Sequence, residues 1–485
     1  ALYCAWRIRA GELPYRDFFC NYGPGSFCVN AAVMAALGQG VAVVRSVDLC
    51  VRLAVAWSCG WAAHRAGAGR YSTVVFGAAL LMLGTINFFG YAGHPGMLLV
   101  LGCSLAWLRC LDSGSRAWAA AAGLMAGLAL FVRQDFGVYL AVAMALHGSA
   151  AAWLGRRPGA WRCLGWAAAA GAAGAAALYA PFLAQAGPGR LWQDLFVGNL
   201  PEMNGPYVLA LPGFAALRLT WLGLRHLDFT AIEQGQVWAG LYVGGAVLLD
   251  LLLLSVPRIR QGRPLALAGL WYALLGCLFL RQGLNRADLI HFYPFILMAL
   301  IAASLQAGAW SLGRAKWALL VLGLYFVATP AAAWVRYLRG VGSYPSSRLE
   351  RSAGLPVAAD MDAAVALVRR GTRPGERIVV EDASVELGTV NDALFYFLAD
   401  RPSASYYELV QMPAPAGYGQ DLEAALGRST TAAVVLWDGL RTGPGTGPLD
   451  ARLRAFGSGP VYGVGDFKMR FIRPLPPLEV PKNPS

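Results

Sequence analysis

Apolar stretches long enough to cross a bilayer recur through the first two thirds of the chain, and this limits the folds open to it. A hydrocarbon core of about 30 Å calls for about 20 residues of helix, or about 17 at the short end. Hydropathy predicts about ten such spans, at 43–64, 71–89, 95–110, 117–132, 136–154, 161–183, 237–256, 264–280, 290–309 and 316–334. Only 14% of the 485 residues are charged and 57% are hydrophobic, whereas soluble domains carry about 25% charged residues. An ordinary soluble protein and a disordered chain are both excluded. The segment 165–178 is almost entirely Ala and Gly. Small residues let membrane helices approach closely, so this span is expected at the centre of the bundle.

The formal net charge of +13 sits mainly in short loops. Arg65 and Arg70, Arg109 and Arg116, Arg156, Arg157 and Arg162, Arg258, Arg260 and Arg263, and Arg314 and Lys316 fall in alternate connections, opposed only by Asp112. Basic short loops stay in the cytoplasm. The remaining connections then face outward: a first outer loop at 1–42, turns around His94 and Arg133, a long loop at 184–236, and the loop 281–289. Everything after about residue 335 joins them. The expected division is a membrane bundle at 1–335 and a soluble unit at 336–485. That second part has nearly equal numbers of basic and acidic residues and α/β patterning. Helices are predicted at 360–370, 391–400 and 421–426, strands at 377–382 and 432–437, and a hairpin at 461–472. Its balanced charge argues against nucleic acid. The expected fold class is a polytopic α-helical membrane protein with a small, outward-facing C-terminal α/β domain.

Ionisable residues in a membrane bundle are costly and so informative. The outward connections hold Tyr15, Arg16, Asp17 and Tyr22; His94; Arg133 and Asp135; and Arg286, Asp288 and His291. Together they offer carboxylates for proton transfer and guanidinium forks suited to phosphate. Each also has a plainer reading. Arg16 and Asp17 fit interfacial charges, and Tyr15 fits an aromatic belt. His94 before Pro95 fits a turn, and Arg133 with Asp135 fits an ion pair at a helix end. Arg45, Asp48 and Arg52 have the spacing of a structural ladder on one helix face. Asp250 is expected to neutralise Arg258.

The chain lacks G-x-x-x-x-G-K-[ST], H-E-x-x-H and G-x-S-x-G, so nothing points to nucleotide-driven transport or to those hydrolases. Nine cysteines are scattered without a C-x-x-C pair. They read as unpaired apolar side chains, with Cys20–Cys28 the one pairing worth weighing in an oxidising compartment. His94, His291 and nearby aspartates are conceivable ligands for a divalent metal, but their spacing carries no metal signature.

The stretch Ala5-Trp6-Arg7-Ile8-Arg9-Ala10-Gly11-Glu12-Leu13-Pro14-Tyr15-Arg16-Asp17-Phe18-Phe19, followed by Tyr22-Gly23-Pro24-Gly25, resembles the first outer loop of GT-C superfamily membrane glycosyltransferases. Among these are the dolichyl-phosphate-mannose protein mannosyltransferases and the lipid A aminoarabinose transferases. Arg286-Ala287-Asp288-Leu289-Ile290-His291 resembles a later outer loop of the same proteins. The resemblance implies transfer of a sugar from a polyprenyl-phosphate carrier to a hydroxyl of a lipid, glycan or protein acceptor on the outer face, with the lipid phosphate leaving. Relatives carry an acidic residue just after their first membrane helix, a position that here falls before Ala1. The chain is therefore expected to lack its native first span. Asp17 is the remaining candidate base or acceptor-orienting group. Arg133, Arg286 and His291 are the candidate phosphate ligands, with Tyr15, Arg16, Tyr22, His94, Asp135 and Asp288 as further substrate contacts. A transporter or flippase of a lipid-linked substrate, and a surface-polysaccharide ligase or polymerase, are the competing readings.

Overall fold

The computed structural model describes residues 2–86, 89–155, 157, 159–197, 213, 215–226, 228–263, 265–285, 288–340, 346–382, 393–407, 417–437, 456, 460–473 and 475. Two helices, α1 (Leu2–Arg9) and α2 (Gly25–Leu37), precede the bundle. Each of the ten expected spans is then met by a helix. The first six are α3 (Val41–Arg65), α4 (Tyr71–Thr85), α5 (Gly93–Ser113), α6 (Arg116–Val132), α7 (Gln134–Trp153) and α8 (Gly159–Ala186). After α9 (Pro188–Trp192) and α10 (Ala215–His226), α11 (Phe229–Ala239) runs through a π turn at Gly240–Gly244 into α12 (Gly245–Arg260). The bundle closes with α13 (Ala266–Asn285), α14 (Leu289–Gly308) and α15 (Gly313–Gly340). Six of the described helices are long and apolar enough to cross a membrane by length and composition. This is the architecture of a multi-pass membrane protein.

The centre of the bundle is α14. Of its spanning window 89% is buried, against 11% for α8, and it packs against α3, α4, α11, α12, α13 and α15. The expectation that the Gly/Ala-rich span is central is therefore corrected. Its small residues do bring one neighbour close. A Cβ on Gly123 of α6 would stand 2.0 Å from the Ala167 carbonyl oxygen, and one on Gly127 would stand 2.7 Å from that of Gly171. Such residues fix how near a neighbour comes, not how many neighbours there are. The rest of α8 leaves Trp161 and Trp166 exposed, as a lipid-facing surface allows. A second correction concerns Asp250. It takes a forked pair from Arg314, with Nη2 at 2.7 and 2.9 Å, while Arg258 lies over the Trp310 ring at 4.2 Å. All nine cysteines are free, Cys20 and Cys28 included.

The C-terminal part contains α16 (Ala359–Gly371), β1 (Arg377–Asp382), α17 (Ala393–Ala399), α18 (Tyr418–Gly427), β2 (Thr431–Trp437), β3 (Tyr462–Val464) and β4 (Phe467–Phe471). The sheet order is β1-β2-β4-β3, with β1 and β2 parallel and the β3–β4 hairpin antiparallel. The apolar run of β2 is buried on both faces, as a central strand requires. In β4, Phe467, Met469 and Phe471 are buried while Lys468 is exposed, the alternation of a strand with one covered face. One sheet face packs on α16 and α17, and this core continues into Tyr3, Ala5, Met34 and Val44 of α1 to α3. Tyr3 stacks on Tyr396 at 5.1 Å and accepts from the Ser403 amide at 2.6 Å. The first segment of the chain is thus sewn to the last.

Candidate functional site

The helix break between α6 and α7 places Arg133. Its backbone is extended (φ −152°) and serves as both C-cap of α6 and N-cap of α7. The guanidinium lies against three rings, Phe136 at 4.7 Å, Tyr91 at 4.8 Å and Tyr22 at 5.3 Å, an arrangement that stabilises a cation out of water. Its Nε donates to Asp135 Oδ1 at 2.9 Å. Its Nη1 is buried and makes no hydrogen bond. Tyr22 is held there by glycine. A Cβ on Gly23 would stand 2.1 Å from the Phe131 carbonyl oxygen, so only glycine lets this turn close on the end of α6. Gln134 locks the turn, accepting from the Gly23 amide at 3.1 Å and donating to the Asn21 carbonyl at 2.8 Å.

A second buried layer adjoins the first through Tyr91. His94, in the first turn of α5, packs its ring between Tyr91 and Tyr293, at 5.7 and 5.6 Å. Its Nδ1 lies 3.0 Å from Asp48 Oδ1, and its Nε2 is buried without a hydrogen bond. Asp48 Oδ2 accepts from Arg52 Nε at 2.6 Å. Arg52 Nη1 donates to the carbonyls of Leu83 and Ile86 at 2.8 and 2.5 Å, closing the C-terminal end of α4. Asp48 and Arg52 do pair along one helix face as expected. They also join α4 and α5, a role the spacing alone did not show.

Asp288 caps α14, accepting from the His291 amide at 3.0 Å, and its Oδ1 lies 2.5 Å from His291 Nδ1. Glu233 accepts from the neighbouring Leu289 amide at 2.7 Å. The His291 ring meets Tyr91 edge-on at 6.3 Å. Tyr22, His94, Arg133, Asp135, Asp288 and His291 therefore converge around Tyr91. Arg286 lies outside the described residues. Asp48, Arg52, Tyr91 and Tyr293 also belong to this cluster, and none was singled out for a site from sequence. The polar motif around His94 was the available signal for Tyr91. Tyr293 gave none, lying inside an apolar helix.

Tyr15, Arg16 and Asp17 are placed differently. The Tyr15 hydroxyl is buried and donates to the Tyr22 carbonyl at 2.7 Å, supporting the turn. Asp17 accepts from Arg16 Nη2 at 2.6 Å and from the Leu13 amide at 2.7 Å. The Arg16 guanidinium holds the Asp17 carboxyl below the usual range, with partial burial acting the other way and the Leu13 amide adding to the lowering. Arg16 and Asp17 line a separate recess with Glu12, Arg377, Tyr406 and Arg428, between the first segment and the C-terminal sheet. Among the described residues no three His, Cys, Asp or Glu side chains gather as a metal site.

The cluster lies at the end of the bundle opposite the basic loops. His94 begins α5, and Arg109 stands at its far end, 15 residues or about 22 Å along the axis. No protein-family model matches the sequence, and no curated protein matches it. Among solved structures, the crystal structure of ArnT from Cupriavidus metallidurans bound to undecaprenyl phosphate is similar at a TM-score of 0.57. The similarity covers 96% of this chain and 92% of that one, at 15% sequence identity. The chain therefore shares the overall fold of that ArnT structure.

Proposed function

We propose that the chain transfers a sugar from a polyprenyl-phosphate carrier to an acceptor hydroxyl on the outer, periplasmic face of a bacterial inner membrane. One observation carries this reading: a buried guanidinium, boxed by three aromatic rings, with Nη1 making no hydrogen bond, at the end of the bundle away from the basic loops. ArnT, which shares the fold, is recorded with undecaprenyl phosphate bound.

In this reading Arg133 receives the carrier phosphate, and its charge stabilises the leaving group as the glycosidic bond breaks. His291 assists from the first turn of α14, and Arg286, a few residues before it in the sequence, is the further candidate phosphate ligand. The phosphate competes with Asp135 for Arg133. The released carboxylate, 32% exposed, is then placed to take the acceptor proton. Asp17, tied to Arg16 and Leu13, shapes the first segment and the acceptor side. The test is transfer from a polyprenyl-phosphate sugar by the full chain in proteoliposomes. Arg133→Ala is expected to lower the rate about 100- to 1000-fold, Asp135→Asn about 100-fold or more, and Asp17→Asn less than about tenfold. Unchanged transfer in Arg133→Ala overturns the proposal. An Asp17→Asn loss exceeding that of Asp135→Asn returns the base to Asp17.

A further inference from the structure

At the arginine-bearing end of the bundle, four connections converge on one cavity of about 230 Å³. Arg65 comes from the end of α3, Arg109 from α5, Arg157 from the α7–α8 connection and Arg263 from the α12–α13 connection. Arg157 donates to the Leu111 carbonyl at 3.0 Å and to Asp112 at 3.3 Å. Arg65, Arg109 and Arg263 have no carboxylate partner among the described residues. Four guanidiniums around one small space with a single carboxylate give that space a positive potential, which an entering anion meets favourably. The connections are also locked together. Leu265 adopts φ +62° and Gly67 φ +84°, and a Cβ on Gly67 would stand 2.3 Å from Leu265 Cδ1. A non-glycine residue held in the left-handed region marks a loop whose shape is imposed by its surroundings.

Part of the cavity wall is apolar, formed by residues such as Leu105, Leu108 and Ile259. Its volume lies under the range of about 300 to 1000 Å³ typical for drug-sized ligands. We infer that this cavity binds a phosphate group, held by the guanidinium forks of Arg65, Arg109 and Arg263. The apolar wall favours a phosphate that carries alkyl chains, the headgroup of an anionic phospholipid, since basic pockets between membrane helices suit such headgroups. A soluble phosphate shares the same chemistry. The site is separate from the Tyr91 cluster and does not depend on sugar transfer.

The test reconstitutes the full chain in nanodiscs of phosphatidylcholine alone, and of phosphatidylcholine with phosphatidylglycerol. Melting temperature and retained lipid by native mass spectrometry are the readouts. The expected result is a higher melting temperature with phosphatidylglycerol, and about tenfold preferential retention of that lipid. Both should vanish in Arg65→Gln/Arg109→Gln/Arg263→Gln and persist in Arg70→Gln/Lys316→Gln. The shift is read within each protein, so a lower starting stability does not obscure it. If the triple variant does not fold, Arg263→Gln alone should reduce retention. Inorganic phosphate at millimolar concentration in pure phosphatidylcholine forms the second arm. A rise there that the triple variant lacks, without phosphatidylglycerol retention, supports the anion site with a soluble ligand. A phosphatidylglycerol effect that survives in the triple variant, or is lost equally in the control, overturns the proposal. So does the absence of any effect from either phosphate source.

Discussion

Arg52 and Arg133, at one end of the bundle, are 2% and 3% exposed, and each is matched to a carboxylate and to aromatic faces. Arg65, Arg109 and Arg263, at the other end, are exposed and have no carboxylate partner among the described residues. The same side chain obeys different rules in the two places. Burying a guanidinium removes it from water, so it must be paired, hydrogen-bonded or laid on a ring. In water an unpaired guanidinium costs little. At the exposed end it is therefore convergence on a shared cavity, not burial, that makes arginine informative.

The contrast can be broken at several points. The largest effect is expected from Arg52→Ala, which leaves the Asp48 carboxylate buried and the Leu83 and Ile86 carbonyls without their donor. Breaking a buried pair costs about 3–5 kcal/mol, to be read as a drop in melting temperature of the reconstituted protein. A drop no larger than that of an exposed arginine would erase the distinction between the two ends. Arg133→Lys keeps the charge but loses the planar fork and the ring stacking. Transfer should fall at least about tenfold, and full activity would mean that charge alone suffices there.

A smaller effect tests the seam between the bundle and the C-terminal part. Asp194 is buried and bonded by the Tyr406 hydroxyl, with Arg190 at 3.7 Å. Burial pushes its carboxyl up to about 6, the Tyr406 hydrogen bond and Arg190 pulling the other way. The folded form then binds a proton that the unfolded form has released, so this group destabilises progressively as pH rises from about 4 to 6. Asp194→Asn should remove that component. The difference in melting temperature between variant and native protein should change across this interval and level off above it. A constant difference would refute the assignment. The smallest effect is expected of Arg263→Gln on stability in phosphatidylcholine alone, within about 0.5 kcal/mol by thermal unfolding.

The helices α8 and α14 show where sequence stopped being informative. Both were recognised as spans, since apolar length is a local property. Their places in the bundle were not. The small residues of 165–178 suggested a central helix, yet α8 packs chiefly on α6, with lesser contact to α7, and leaves most of its surface outward. The 89% buried helix is α14, whose apolar composition reads the same whether neighbours are lipid tails or other helices. The chemical nature of the surroundings does not change between lipid and core, so hydrophobicity cannot rank the spans.

The site divides in the same way. The outward polar connections were legible because charge at a helix end stands out against apolar runs, and the three helices, two strands and terminal hairpin of the C-terminal part were legible from period and turn residues. Asp48 and His94 are 46 positions apart and meet only because α3 and α5 pack together. Asp17 sits in the motif that most resembles a family loop, yet its contacts turn it toward Arg16, Leu13 and the recess beside Arg377. Sequence by itself determined the spans, the basic end and the α/β elements, because each follows from neighbours along the chain. The tertiary structure alone decided which polar groups share a space, because pairing a buried charge depends on helices that the chain brings together from far apart.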